Sequence, residues 1–374
     1  MLNLANSAKD LLSLAGYRSP QNIIVFESDD WGGIRIPSSE ALEELQGKYP
    51  DLPLDHYQIY DGLESAEDLA LLGDTLRRFE TKSGFPKFTL NYATANPVFD
   101  MRIIEDEELS PFSYEPITDT FERYDGSDSA LNYYLNNPSS SSCFLAQLHA
   151  REHLNVTRWM QGARNIDHQR DAFMLGVLGF NTEKYNSMDP LNTSNVLVNR
   201  TQYITDAAKL FKEQFGFVSS SFIPPCYVIN GDDYEVLSRV GVETIQGAWL
   251  MNRPKPDGSL SRRLSVPGKI NRYSQVQLVR NCSFEPSKYF FHALDEEESV
   301  TRAMAEISAA LKRKQPAIIC SHRVNFTSRI SKANRDYSLR CLNKLLNRIV
   351  EEVEDPVFMF SDQLGKAIRE AKGL

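Results

Sequence analysis

The sequence predicts an α/β protein: a parallel sheet with crossover helices, open or closed into a barrel. One observation is a series of about seven short apolar runs, most of them separated by helical patterns. The other is that Asp29, Asp30, His149 and His322 each stand just after such a run. In this architecture ligands bind beyond the carboxyl ends of the strands.

The first run, Ile23-Ile24-Val25-Phe26, has the β-branched and aromatic composition of a strand buried on both faces, and it ends in Glu27-Ser28-Asp29-Asp30-Trp31-Gly32-Gly33. Further strands are expected at 86–92, 143–148, 217–222, 242–245, 317–320 and 357–360. A helix starts at Pro37-Ser38-Ser39-Glu40, and others are expected over 64–81, 152–178 with a break near Asp167, 201–215, 232–240, 295–314 and 334–353. Leucines at 2, 4, 11, 12 and 14 suit a short amphipathic N-terminal helix. We read the chain as a single domain, 1–374, with two insertions. One, 99–137, is acidic and rich in Tyr, Pro and Asp; the other, 253–286, is rich in Arg, Pro, Gly and Asn. No internal repeat of fixed period is visible.

Composition narrows the partners. With 41% hydrophobic and 24% charged residues the chain is ordinary for a soluble globular protein. A net charge of -9 argues against nucleic acid or an anionic membrane as a general partner, while leaving a sugar polymer or a small neutral substrate open. No run is long enough to span a bilayer, and residues 1–16 lack a basic leader, so no membrane insertion or secretion is expected. Five cysteines, an odd number without a CxxC pair, read as reduced thiols of a cytoplasmic protein. The sequence is silent on oligomeric state.

Adjacent carboxylates at Asp29 and Asp30 repel unless a cation or proton offsets them. His149 and His153 stand four apart, which on one face of a helical turn lets both imidazoles reach one divalent ion. Asp30 would complete an Asp-His-His set with positions left open, and Asp29 could serve as general base on water there. His322 would be the partner acid. Tyr227 and Trp249 are candidates for a sugar platform or for core packing. Arg323 could steer a substrate carboxylate or carry an ion pair. Three histidines, His56, His168 and His292, have no partner in sequence and are taken as structural.

At these residues the chain resembles the polysaccharide deacetylases, metal-dependent carbohydrate esterases. The matching motifs are the Asp-Asp of Phe26-Glu27-Ser28-Asp29-Asp30, the His-x-x-x-His of 149–153, and the aliphatic-x-x-His of 319–322. The resemblance implies a distorted barrel of about seven strands and helices, in agreement with the strand reading. It implies Asp29 as base, Asp30, His149 and His153 as ligands of zinc or a similar ion, His322 as acid, and an acetylated carbohydrate as substrate. Two departures stand out. The family's Arg-before-Pro motif has no Arg here, the corresponding stretch being Phe222-Ile223-Pro224-Pro225, so either an Arg from elsewhere, such as Arg35 or Arg323, substitutes, or the chemistry or substrate is altered. Glu27-Ser28 replaces the Thr-Phe lead-in, adding a third carboxylate; Glu27 and Trp31 are taken as further substrate-binding positions.

Three rival readings remain. A glycoside hydrolase on the related barrel would use Asp29 or Glu27 with a distant carboxylate. A sugar-binding protein would keep the barrel without turnover. The pattern His149-x-x-Glu152-His153 also fits the inverted zinc-peptidase motif, with Glu152 as base.

Overall fold

A computed structural model describes residues 16–105, 112–137, 140–182 and 185–374, so the expected N-terminal helix lies outside the described residues. Nine parallel strands form one curled sheet: β1 (Ile23–Trp31), β2 (Phe88–Ala93), β3 (Phe144–Ala150), β4 (Ser221–Phe222), β5 (Thr244–Ile245), β6 (Val276–Gln277), β7 (Cys282–Ser283), β8 (Ala317–His322) and β9 (Val357–Phe358). The order across the sheet is β6-β5-β4-β3-β2-β1-β8-β7, with β9 paired beside β1. This is the parallel α/β sheet the alternation predicts, curled into the distorted half-barrel the resemblance implies, and seven of its strands fall on the seven apolar runs.

The other two strands, β6 and β7, sit on opposite edges of the sheet, yet only residues 278–281 separate them in the chain. One extended stretch therefore reaches both edges of the curl. Within it Arg280 donates its backbone N–H to Gly247 (2.8 Å) and Asn281 donates to Ile318 (3.1 Å). The stretch 253–286, expected to be an insertion, thus ends in strand. Its excursion is the hairpin Leu250–Pro254/Leu260–Leu264.

The helices follow their sequence cues. Ser38 caps Ser39–Lys48, Ser65 and Asp68 form a capping box on Ala66–Arg77, and Asp295 caps Glu296–Lys312. The expected break near Asp167 is at Ile166, between helices Val156–Asn165 and Asp167–Met174. Segment 99–137 is less irregular than expected: it holds helices Ile117–Asp125 and Ala130–Asn136, the second capped by Ser129. The C-terminal helix Ser361–Ala371 was also not anticipated.

Strand β1 explains how the interior is layered. Alternate residues of a strand share a face. On one face Ile24 and Phe26 join the main core, and Phe26 stacks on Phe88 at 4.6 Å. On the other, Ile23 and Val25 pack with Val276, Leu278, Ile318, Leu364 and Ile368. Further along that same face come Glu27 and Asp29, so an apolar layer gives way to a polar one toward the carboxyl ends of the strands. All five cysteines are free, and among the described residues no helix is long and apolar enough to cross a membrane.

Candidate active site

Two consecutive residues of a regular strand point to opposite faces, yet Asp29 and Asp30 line one cavity. A bulge resolves this. Ser28 pairs with Leu90 and Trp31 with Tyr92, so β1 carries one extra residue across that interval, and Asp30 takes a left-handed φ of 74°. Asp is among the few non-glycine residues that adopt this conformation at modest cost. A second irregularity, between Tyr92 and Ala93 in the β2–β3 pairing, lies opposite His149.

His149 is the penultimate residue of β3, and His153 lies in the bend that follows. The expected helical turn is absent at this point: the helix begins only at Val156, after the Asn155 cap. The bend nonetheless brings the rings together, with centroids 4.9 Å apart. His149 Nδ1 meets the Ile223 carbonyl at 2.9 Å, which fixes Nδ1 as the protonated nitrogen and leaves Nε2 as a lone-pair donor. That Nε2 is buried without a hydrogen-bond partner, 3.4 Å from Asp30 Oδ1, and His153 Nε2 is 3.8 Å from the same oxygen. Donor atoms of Asp30, His149 and His153 all lie within 4.8 Å of one another. An orphaned buried imidazole nitrogen converging with a second imidazole and a carboxylate fits a divalent cation, and the nitrogen-rich set suits zinc. Burial pulls the His153 imidazole down to about 4, the neutral form a metal requires.

Asp29 is held by Arg280. The two Nη atoms donate to the two carboxylate oxygens at 2.7 Å each, and Asn91 Nδ2 adds a bond to Oδ1 at 2.8 Å. Burial raises the Asp29 carboxyl, but the guanidinium outweighs it and holds the group at about 2. Arg280 Nε also donates to Glu27 Oε2 at 2.7 Å, while Gln246 and Ser221 extend the polar layer from Asn91. His322 is fixed from behind: Nδ1 lies 2.5 Å from Glu285 Oε1 and 2.9 Å from the Tyr57 hydroxyl. Burial disfavours its charge, yet the Glu285 carboxylate carries it well above the ordinary imidazole range. Its free Nε2 is 3.9 Å from Asp29 Oδ2. An ionised carboxylate and a protonated imidazole thus flank the candidate metal ligands, around a cavity of about 260 Å³.

The arginine from elsewhere in the chain that holds Asp29 is Arg280; Arg35 and Arg323, the examples the sequence offers, do not reach it. Arg35 pairs with Asp61 at 2.9 Å and reaches Asp30 at 3.7 Å, on the ligand side of the cavity. Arg323 is 1% exposed, engaged by Asp61 and Glu64, and offers nothing to a substrate. Glu27 and Trp31 are also corrected as substrate contacts: both are fully buried, Glu27 between Arg280 and Ser361 and Trp31 against Ser28. Tyr227 lines the cavity and also a neighbouring one of about 530 Å³; Trp249 borders only the second and is not among the residues lining the first. The buried Glu152 carboxylate is clamped by Arg151 at 2.6 and 2.9 Å, which removes it from the peptidase role. Sequence reasoning missed Arg280, Glu285 and Tyr57; the first two lie in or beside segments read as insertion, with no motif to mark them.

No protein-family profile and no curated protein matches this chain. Among solved structures it is similar to a Mycobacterium smegmatis protein classed as a polysaccharide deacetylase, at 10% identity and TM-score 0.44 over 96% of this chain and 94% of that one. It is also similar to a protein of Parabacteroides distasonis classed as a glycoside hydrolase/deacetylase, at 9% identity and TM-score 0.48 over 93% and 71%. A third is the α-amylase AmyC of Thermotoga maritima, at 10% identity and TM-score 0.44 over 93% and 74%.

Proposed function

We propose that this chain is a metal-dependent hydrolase that removes an acetyl group, N- or O-linked, from a sugar or sugar polymer, in a cytoplasmic setting consistent with its five unpaired cysteines. The observation that carries the reading is one cavity combining the Asp30-His149-His153 donor set with an arginine-clamped carboxylate and a glutamate-backed imidazole. A divalent ion there, zinc by its donor set, supplies Lewis acidity toward the acyl oxygen and makes water more acidic. Asp29 stays ionised at neutral pH and takes the proton from the attacking water. Arg280 keeps both carboxylate oxygens aimed and prevents the side chain from turning toward the ligand set. His322 Nε2 then gives its proton to the departing amine or alkoxide, and Glu285 holds the ring in that orientation. Tyr227 and Trp249 offer aromatic faces to the sugar.

The test begins with metal content. About one divalent ion per chain is expected in the wild type and none in His149→Ala or His153→Ala. Asp29→Asn should keep the ion while acetate release from acetylated sugars stops. Absence of metal after reconstitution with zinc, or acetate release that survives its removal, overturns the proposal.

A further inference from the structure

A second cavity, of about 520 Å³, lies directly behind the acid of the site. Tyr57 lines both cavities, and Glu285, which orients His322, lines this one. Its wall carries Lys288 and Arg302, with His56 and Ser299 beneath. His56 Nε2 and Ser299 Oγ are each buried without a hydrogen-bond partner, although their residues are only 8% and 3% exposed. Two polar atoms left unpaired beside one wall leave hydrogen-bonding capacity unmet there, at a cost in stability.

The charges around this wall agree. Lys288 has no ion-pair partner among the described residues, and Arg302, its side chain 67% exposed, is shared between Glu306 at 3.4 Å and the Tyr289 hydroxyl. The carboxylates nearby are engaged: Glu285 holds His322 and Asn325, and Glu306 Oε2 accepts the Ser283 N–H at 2.8 Å.

We infer that this cavity receives an oxyanion, phosphoryl or carboxylate, of a charged sugar. The inference rests on the deacetylase reading for the sugar, but not for the anion. Lys288 and Arg302 supply the charge, and Ser299 and His56 add unmet hydrogen-bonding capacity beside it.

The experiment measures binding by calorimetry, and acetate release in parallel. The zinc-loaded wild type, Lys288→Gln/Arg302→Gln and Ser299→Ala are compared with three probes: N-acetylglucosamine, its 6-phosphate, and an N-acetylated uronic acid. The wild type should bind at least one charged sugar about tenfold tighter than the neutral one, and the double variant should lose about that factor for the charged sugar alone. Ser299→Ala, which leaves surface charge untouched, should weaken the same sugar a few-fold. Preference for one charged probe identifies phosphoryl or carboxylate as the source. Equal affinity for charged and neutral sugars in the wild type, or an unchanged charged-sugar affinity in both variants, overturns the inference. Charge-dependent binding without acetate from any sugar keeps the anion site and sinks the deacetylase reading. Acetate from the neutral sugar with no charge preference does the reverse.

Discussion

Replacing Arg280 with Met tests the polar layer beneath the site. The guanidinium holds Glu27 through Nε and Asp29 through both Nη atoms, every contact at 2.7 Å, with side-chain exposures of 3%, 0% and 6% for the three residues. Removing it leaves two buried carboxylates on the same strand face with their counter-charge gone. Breaking a buried pair by deleting one partner costs about 3–5 kcal/mol. The cost depends on pH, and its sign is fixed by Glu27. Burial already raises this carboxyl against the pull of Arg280, and without the arginine it rises further. A carboxylate raised in the folded state binds more protons folded than unfolded, so the variant gains stability as pH falls toward the ordinary carboxylate range. Asp29 of the wild type is depressed to about 2, so its contribution is present above the ordinary carboxylate range and lost only as pH falls toward 2. The gap between the two proteins should therefore be widest at mildly alkaline pH and narrow on acidification. Urea unfolding of wild type, Arg280→Met and Glu27→Gln/Arg280→Met at two pH values reads this directly, the double variant recovering part of the loss. A single variant within about 1 kcal/mol of wild type at alkaline pH, or a gap that widens in acid, refutes the electrostatic account.

Three further outcomes are expected. Glu285→Gln removes the carboxylate that raises His322, so the acid deprotonates earlier and the alkaline limb of kcat/KM moves to lower pH, with the rate on the acid side retained; an unmoved limb assigns the proton to another group. Asp30→Asn should bind zinc more weakly while keeping the φ of 74°, whereas Asp30→Val should cost about 1–3 kcal/mol more than Asn in thermal unfolding of the apoprotein. Gly365→Ala would press a methyl into Thr244 Oγ1, where the C-terminal helix meets β5; about 1–3 kcal/mol should be lost by overpacking and partly regained with Thr244→Ala.

What the sequence reveals here follows from how far each cause extends along the chain. β1, β2, β3 and β8 are sheet-interior strands whose burial enforces apolar runs, and they appear in the sequence with their terminal Asp and His residues attached. The clustering of Asp30, His149 and His153, the candidate ligands, is legible for the same reason: they sit within a few residues of those runs. Their mutual spacing is legible too, but not its backbone. Separation by four suits a helix, yet here a strand end and a bend deliver it, and only the tertiary fold chooses between them. β6 and β7 have two residues each, too short for any periodicity, and their pairing partners lie elsewhere in the chain. Arg280 rides on that stretch, 251 residues from Asp29, in a segment whose Arg, Pro and Gly content reads as loop. That an arginine was missing was visible only through the resemblance; that Glu27 and Asp29 are buried together and need a cation is visible only in the fold. Which arginine answers is decided by the closing of the curl. The chain crosses from β6 to β7 at the level of Glu27 and Asp29, and a residue placed there must neutralise both. Charge balance in the interior thus ties the base of the site to the last stretch that joins the edges of the sheet.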